Sequence, residues 1–226
     1  MIDHYDWAGG REAMLRFGPD TGPVVIAALP LFEEANRTRA FMVAICRALA
    51  ARGIAGVLPD LPGQGESLIP TEEIDCGKLE QAFAAAAACF DKPHILSLRS
   101  GALLTRLANG ASRYLFAPVD GDQFTQELMR IAKLGGGRES FPIDAPGPPH
   151  TIAGNLISRT MLLDLRDASP DRTTPSRLVR PSSDFREADL KIEAAPLWRR
   201  AEPDNDPILA QILADDIAAW IAACDG

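Results

Sequence analysis

Residues 24–29 (VVIAAL) form a continuous apolar run, and nothing else in the chain restricts its architecture as much. A strand with one wet face alternates apolar and polar residues, whereas a run without alternation needs cover on both faces. Further strand-like runs follow at 54–58 (IAGVL), 94–98 (HILSL) and 114–118 (YLFAP). Between them lie segments of helical period. These are 39–53, ending on a glycine suited to a helix C-terminus, the Ala-rich 72–90, and 102–109. The resulting β-α-β-α-β-α-β order predicts a mostly parallel sheet with helices on both faces.

The flanks are less regular. Residues 12–17 (EAMLRF) alternate as an edge strand would. After residue 119 the alternation of elements breaks. Residues 122–133 read as an amphipathic helix, 135–149 as a Gly- and Pro-rich surface loop, and 155–165 as a helix. Residues 177–180 and 190–194 read as the last two strands, and 207–223 as a closing helix with proline in its first turn. The stretch from about 120 to 155 fits a short cap inserted over the carboxyl edge of the sheet, where doubly wound folds place ligands. No repeat appears, and one domain over 1–226 is expected.

Composition narrows the function. Acidic residues outnumber basic ones, 31 to 23, and no basic stripe appears, which argues against a nucleic-acid partner. No run approaches the ~20 apolar residues of a membrane span, and the N-terminal segment lacks a signal-peptide pattern. A cytoplasmic location is expected. Cys46, Cys76, Cys89 and Cys224 form no CxxC or Cys/His cluster, so neither a metal site nor a cofactor is expected.

Two loops suggest the chemistry. PDLPGQGES (59–67) resembles the D-x-x-G-x-G-x-S loop of many α/β-hydrolases. ILSLRSGALL (95–104) stands where that fold has its nucleophile elbow, G-x-S-x-G, a sharp turn that exposes a serine hydroxyl. Here the register reads Ser97-Leu98-Arg99-Ser100-Gly101, which puts Arg99 at the nucleophile position. A guanidinium stays protonated and cannot accept an acyl group. Ser100 is one residue along, and its side chain is expected to point elsewhere. The general base is missing too. The chain has three histidines, His4, His94 and His150, and none lies in the loop after the last strand, where Trp198 stands. The acid position falls on Asp184, with Asp167 as the alternative.

The departures form a pattern of their own. PLFEEANRTRAF (30–41), LSLRSGALL (96–104), LFAPVDGDQFTQELMR (115–130), HTIAGNLIS (150–158) and APLWRRAEP (195–203) together resemble the second type of the exosortase A system-associated hydrolase-like proteins. That group has an acidic E-E-x-N-K-x-R-R loop and a G-L-R-L-G elbow. Glu33, Glu34, Asn36, Arg39, Arg99, Gly101 and Trp198 match. Ser97 stands for glycine, Ser100 for leucine, Arg37 for lysine, Ala40 for the last arginine and Leu197 for phenylalanine. The resemblance implies a setting in exopolysaccharide production and protein sorting, without a known reaction.

A partly buried arginine needs partners. Glu33 and Glu34, one strand away, are the nearest candidates, and Arg99 is expected to bond at least one of them. Three roles remain open: a structural clasp, a pocket in which Arg99 and Arg39 hold a small anion, and water activation by Glu33 or Glu34. Asn36 would be a polarising donor or the N-cap of the next helix. Two functional readings follow. One is a binding or accessory protein, with a small anionic ligand or a pathway protein as partner. The other is an ester or thioester hydrolase using non-standard residues.

Overall fold

The computed structural model describes residues 1–135, 143–145, 147–173 and 175–225. Strands β1 (Ile2–Trp7), β2 (Gly10–Phe17), β3 (Val24–Ala28), β4 (Ala55–Pro59), β5 (His94–Leu98), β6 (Arg113–Phe116), β9 (Ser176–Pro181) and β10 (Leu190–Ile192) form an eight-stranded sheet, ordered β1-β2-β4-β3-β5-β6-β9-β10. From β4 to β10 every pairing is parallel; only the β1–β2 and β2–β4 pairings are antiparallel. Strands β7 (His150–Ile152) and β8 (Asn155–Ile157) make a separate hairpin.

Helices cover both faces. On one side α1 (Glu33–Ala50) and α5 (Pro207–Asp225) pack on Val25, Ala27, Leu96 and Leu98. On the other, α2 (Cys76–Ala87), α3 (Gly121–Leu134) and α4 (Arg159–Asp167) pack on Ile26, Ala28 and Ile95. Successive residues of β3 thus feed opposite cores, which is why that strand shows no alternation. Burying each Leu, Ile or Phe side chain contributes about 1.5–3 kcal/mol.

Several expectations are corrected. Residues 12–17 are not an edge strand: β2 is flanked by β4 and by β1, which forms the edge. In β1 only Tyr5 is fully buried, so the segment reads as polar although it is a strand. Helix α1 begins at Glu33, six residues before the expected start at Arg39. Asn36 is therefore inside the helix and exposed; the N-cap position belongs to Phe32. Residues 102–109 are not an α-helix. A 3-10 turn, Arg99–Leu104, ends at Thr105, whose hydroxyl bonds back to the Ala102 carbonyl. The buried Arg113 guanidinium takes the carbonyls of Thr105 and Ala108, so those groups are satisfied without a helix. Residues 155–165 divide into β8 and α4, with Ser158 capping α4 through the Met161 amide. The loop expected at 135–149 lies largely outside the described residues.

Among the described helices, α5 is long and apolar enough, by length and composition alone, to cross a membrane. In the fold its Leu209, Leu213, Ile217 and Ile221 are core residues, and its Asp215 and Asp216 pair with Arg52 and Arg177.

Candidate functional site

The carboxyl ends of β3, β5 and β6 share one edge of the sheet, and at that edge the loop after β3, the start of α1, α3, the β7–β8 hairpin and Trp198 line a cleft of about 330 Å³, at the small end of ligand-site sizes. Each of these three parallel strands is followed within a few residues by a non-glycine residue at positive φ: Phe32 at 58°, Arg99 at 53° and Ala117 at 50°. L-residues rarely adopt that region, and three such positions along one edge mark strain concentrated where the fold holds its site. The turn after β5 is sharp, and Arg99 stands on it. Gly101 explains part of that. A Cβ there would lie 2.5 Å from the carbonyl oxygens of Ala28 and Leu29, so only glycine lets the turn press against β3.

Arg99 is 2% exposed and sits beneath the cleft. Its Nε and Nη2 donate to the two Glu34 oxygens at 3.3 and 3.0 Å, a bidentate pair. Nη2 also donates to Glu127 Oε2 at 2.6 Å. The guanidinium carbon lies 5.1 Å from the centre of the Trp198 ring, which itself packs edge-on against Phe116. Glu34 is held in the first turn of α1, where a carboxylate suits the helix dipole. Burial nevertheless raises its pKa above the ordinary carboxylate value, and the neighbouring Arg99 charge opposes that rise. Glu127, on α3, was not singled out from the sequence.

The remaining sequence candidates disperse. Glu33 pairs with Arg37 along α1 at 3.3 Å and lines the cleft without reaching Arg99. Arg39 is committed to Asp60 at 2.8 Å, in a separate small recess with Asn36. Arg99 and Arg39 therefore do not converge on an anion, and each is already neutralised by a carboxylate of the protein. Ser100 is fully buried, and its hydroxyl accepts the Leu31 amide at 3.0 Å. That contact disqualifies it twice. The hydroxyl does not open into the cleft, and it occupies an amide of the loop after β3, where an α/β-hydrolase draws an oxyanion donor.

Asp184 is held by Arg180 and Arg186 at 2.9 and 2.7 Å, and these hydrogen bonds push its pKa well below the usual carboxylate range. It reaches the site only through a relay. Arg186 donates to Gln123, Gln123 donates to Glu127, and Glu127 bonds Arg99. Asp167, the alternative, is an exposed partner of Arg166. No histidine is among the cleft-lining residues. His150 lies on β7, its pKa lowered by burial and by Arg159. Among the described residues no group of three or more His, Cys, Asp or Glu is placed to hold a metal.

No protein-family model matches the chain, and no curated protein matches it. Solved structures do. Est1E from Butyrivibrio proteoclasticus, with ferulic acid bound, aligns over 97% of this chain and 99% of its own at TM-score 0.64 and 15% identity. An esterase from Thermogutta terrifontis, malate bound, aligns over 99% of both chains at TM-score 0.54 and 12% identity. The chain has the α/β-hydrolase fold. The bottromycin epimerase BotH, in complex with bottromycin A2, has the same architecture, aligning over 95% of this chain and 98% of its own at TM-score 0.57 and 13% identity. At these identities the likeness extends to the fold and not to the chemistry.

Proposed function

We propose that this α/β-hydrolase-fold protein does not hydrolyse through a serine and instead binds a small molecule in the cleft above Arg99. The observation that supports this most is the elbow. Its strained backbone presents a guanidinium clasped by Glu34 and Glu127, while the adjacent Ser100 hydroxyl is tied to the Leu31 amide. The cleft has apolar walls, including Phe32, Phe124, Leu128 and Ile152, with a few charged groups set among them, as ligand sites do. That a protein of this fold is named an epimerase is consistent with a non-hydrolytic role. The resemblance of the double-glutamate loop and arginine elbow to exosortase-associated proteins supports a cytoplasmic accessory role in an exopolysaccharide or protein-sorting pathway.

The test combines a fluorophosphonate probe, a panel of short-chain p-nitrophenyl esters and a ligand screen by thermal shift. The expected result is no labelled serine, no ester turnover above buffer, and stabilisation by some members of the screen. Labelling at Ser100 with turnover overturns the reading.

One observation favours a second reading. Glu34 is half-buried beside the cleft with its pKa raised by desolvation, as a general base for water would be. Ester turnover that survives S100A and disappears in E34Q would select it.

A further inference from the structure

The charges around the cleft are arranged by depth. At the inner end Glu34 and Glu127 share the guanidinium of Arg99, and among the described residues no second cation makes an ion pair with either carboxylate. Glu33 and Arg37 offset one another. At the open end Arg130 and Arg199 line the cleft, are exposed, and have no ion-pair partner among the described residues. The apolar side chains of Phe32, Phe124, Ile131 and Ile152 line the same cleft. The indole N–H of Trp198, in a side chain more than nine-tenths buried that also lines the cleft, has no acceptor among the described residues. A buried donor without a partner is unfavourable, so a ligand acceptor there is favoured.

We propose that the cleft takes a dipolar ligand, with a protonated amine inward on Glu34 and Glu127, an apolar body along the Phe32 and Phe124 walls, and an anionic group outward at Arg130 and Arg199. The proposal deepens the binding reading above and rests on it. The buried end rejects an anion because a third negative group would face two carboxylates already sharing one cation. It accepts an ammonium because each carboxylate has acceptor capacity beyond what Arg99 and Gln123 use.

Three probes test it by calorimetry: 4-methylbenzylamine, 3-phenylpropionate, and 3-[4-(aminomethyl)phenyl]propanoic acid, which combines the two groups. The zwitterion is expected to bind tightest, the amine about tenfold more weakly, and the acid alone weakest. E127Q should weaken both amine-bearing probes about tenfold and should not weaken the acid. The double variant R130Q/R199Q, confined to exposed side chains, should reduce the zwitterion to the level of the amine while leaving the amine unchanged. If E127Q does not fold, the double variant decides alone. Tighter binding of the acid than of the amine, amine binding unchanged in a folded E127Q, no change in the double variant, or no binding by any probe overturns the assignment. None of those results affects the non-hydrolytic reading, which falls only to serine labelling or ester turnover.

Discussion

The two ends of the parallel sheet hold opposite halves of what a serine hydrolase needs. At the amino end, His94 opens β5 and its Nδ1 lies 2.9 Å from the Ser112 hydroxyl, while its Nε2 lies 3.4 Å from Asp225 at the end of α5. Hydroxyl, imidazole and carboxylate are all present. Ser112 is fully buried, however, and the ring is reversed relative to a catalytic triad, in which the serine bonds Nε2 and the acid bonds Nδ1. At the carboxyl end a cleft opens and the turn after β5 is strained, yet Arg99 stands on that turn and no histidine is among the described residues that line the cleft. Residue types in hydrogen-bonding reach do not make a catalyst without access, and access does not make one without the residues.

Replacing Arg99 tests the contrast hardest. R99S returns a hydroxyl to the elbow but leaves Glu34 and Glu127 facing each other without a cation. A loss of about 3–5 kcal/mol in denaturant unfolding is expected, with no gain of esterase activity, since no histidine lines the cleft. Measurable ester turnover in R99S would break the comparison.

Asp184 is the next largest. Its folded-state pKa is depressed by its arginine partners, so its contribution is present above the ordinary carboxylate value, about 4, and is lost as pH falls below it. D184N should cost about 1.5–3 kcal/mol at neutral pH and flatten that acid limb. An unchanged acid limb would show that Arg186 and Arg180 do not hold the Asp184 pKa down.

S100A leaves the Leu31 amide without its partner and should cost about 1–3 kcal/mol, with binding in the cleft preserved. Abolished binding at unchanged stability would instead give Ser100 a direct role. Smallest is D225N at the amino end. Asp225 is 46% exposed, so a cost of about 0.2–1 kcal/mol by thermal or denaturant unfolding is expected, with no effect on cleft ligands.

Much of this was legible in the chain because strands buried on two faces declare themselves. VVIAAL supplies both cores through one strand, and the Gly101 turn follows from its neighbours. The arginine at the elbow and the missing histidine were equally plain. Strand β1 was not legible because three of its residues are exposed and only Tyr5 is fully buried. The turn at 99–104 escaped because the buried Arg113, on the next strand, takes the Thr105 and Ala108 carbonyls that a helix would have used. Glu127 could have been found. It stands on α3 beside Phe124, Leu128 and Ile131, a carboxylate next to an apolar stripe, which is the pattern of a charge turned toward a partner. Arg39 misled because a loop crowded with charges does not say which of them pair with one another.

The turn after β5 works as a socket. Its shape is set by main chain, by Gly101 against the carbonyls of β3 and by the 53° twist at position 99, so any side chain installed there is delivered to the same point beneath the cleft. A saturation library at that one codon, in an E34Q/E127Q background that no longer demands a cation, would sample amine, thiol, hydroxyl and amide heads at a fixed address without redesigning the scaffold.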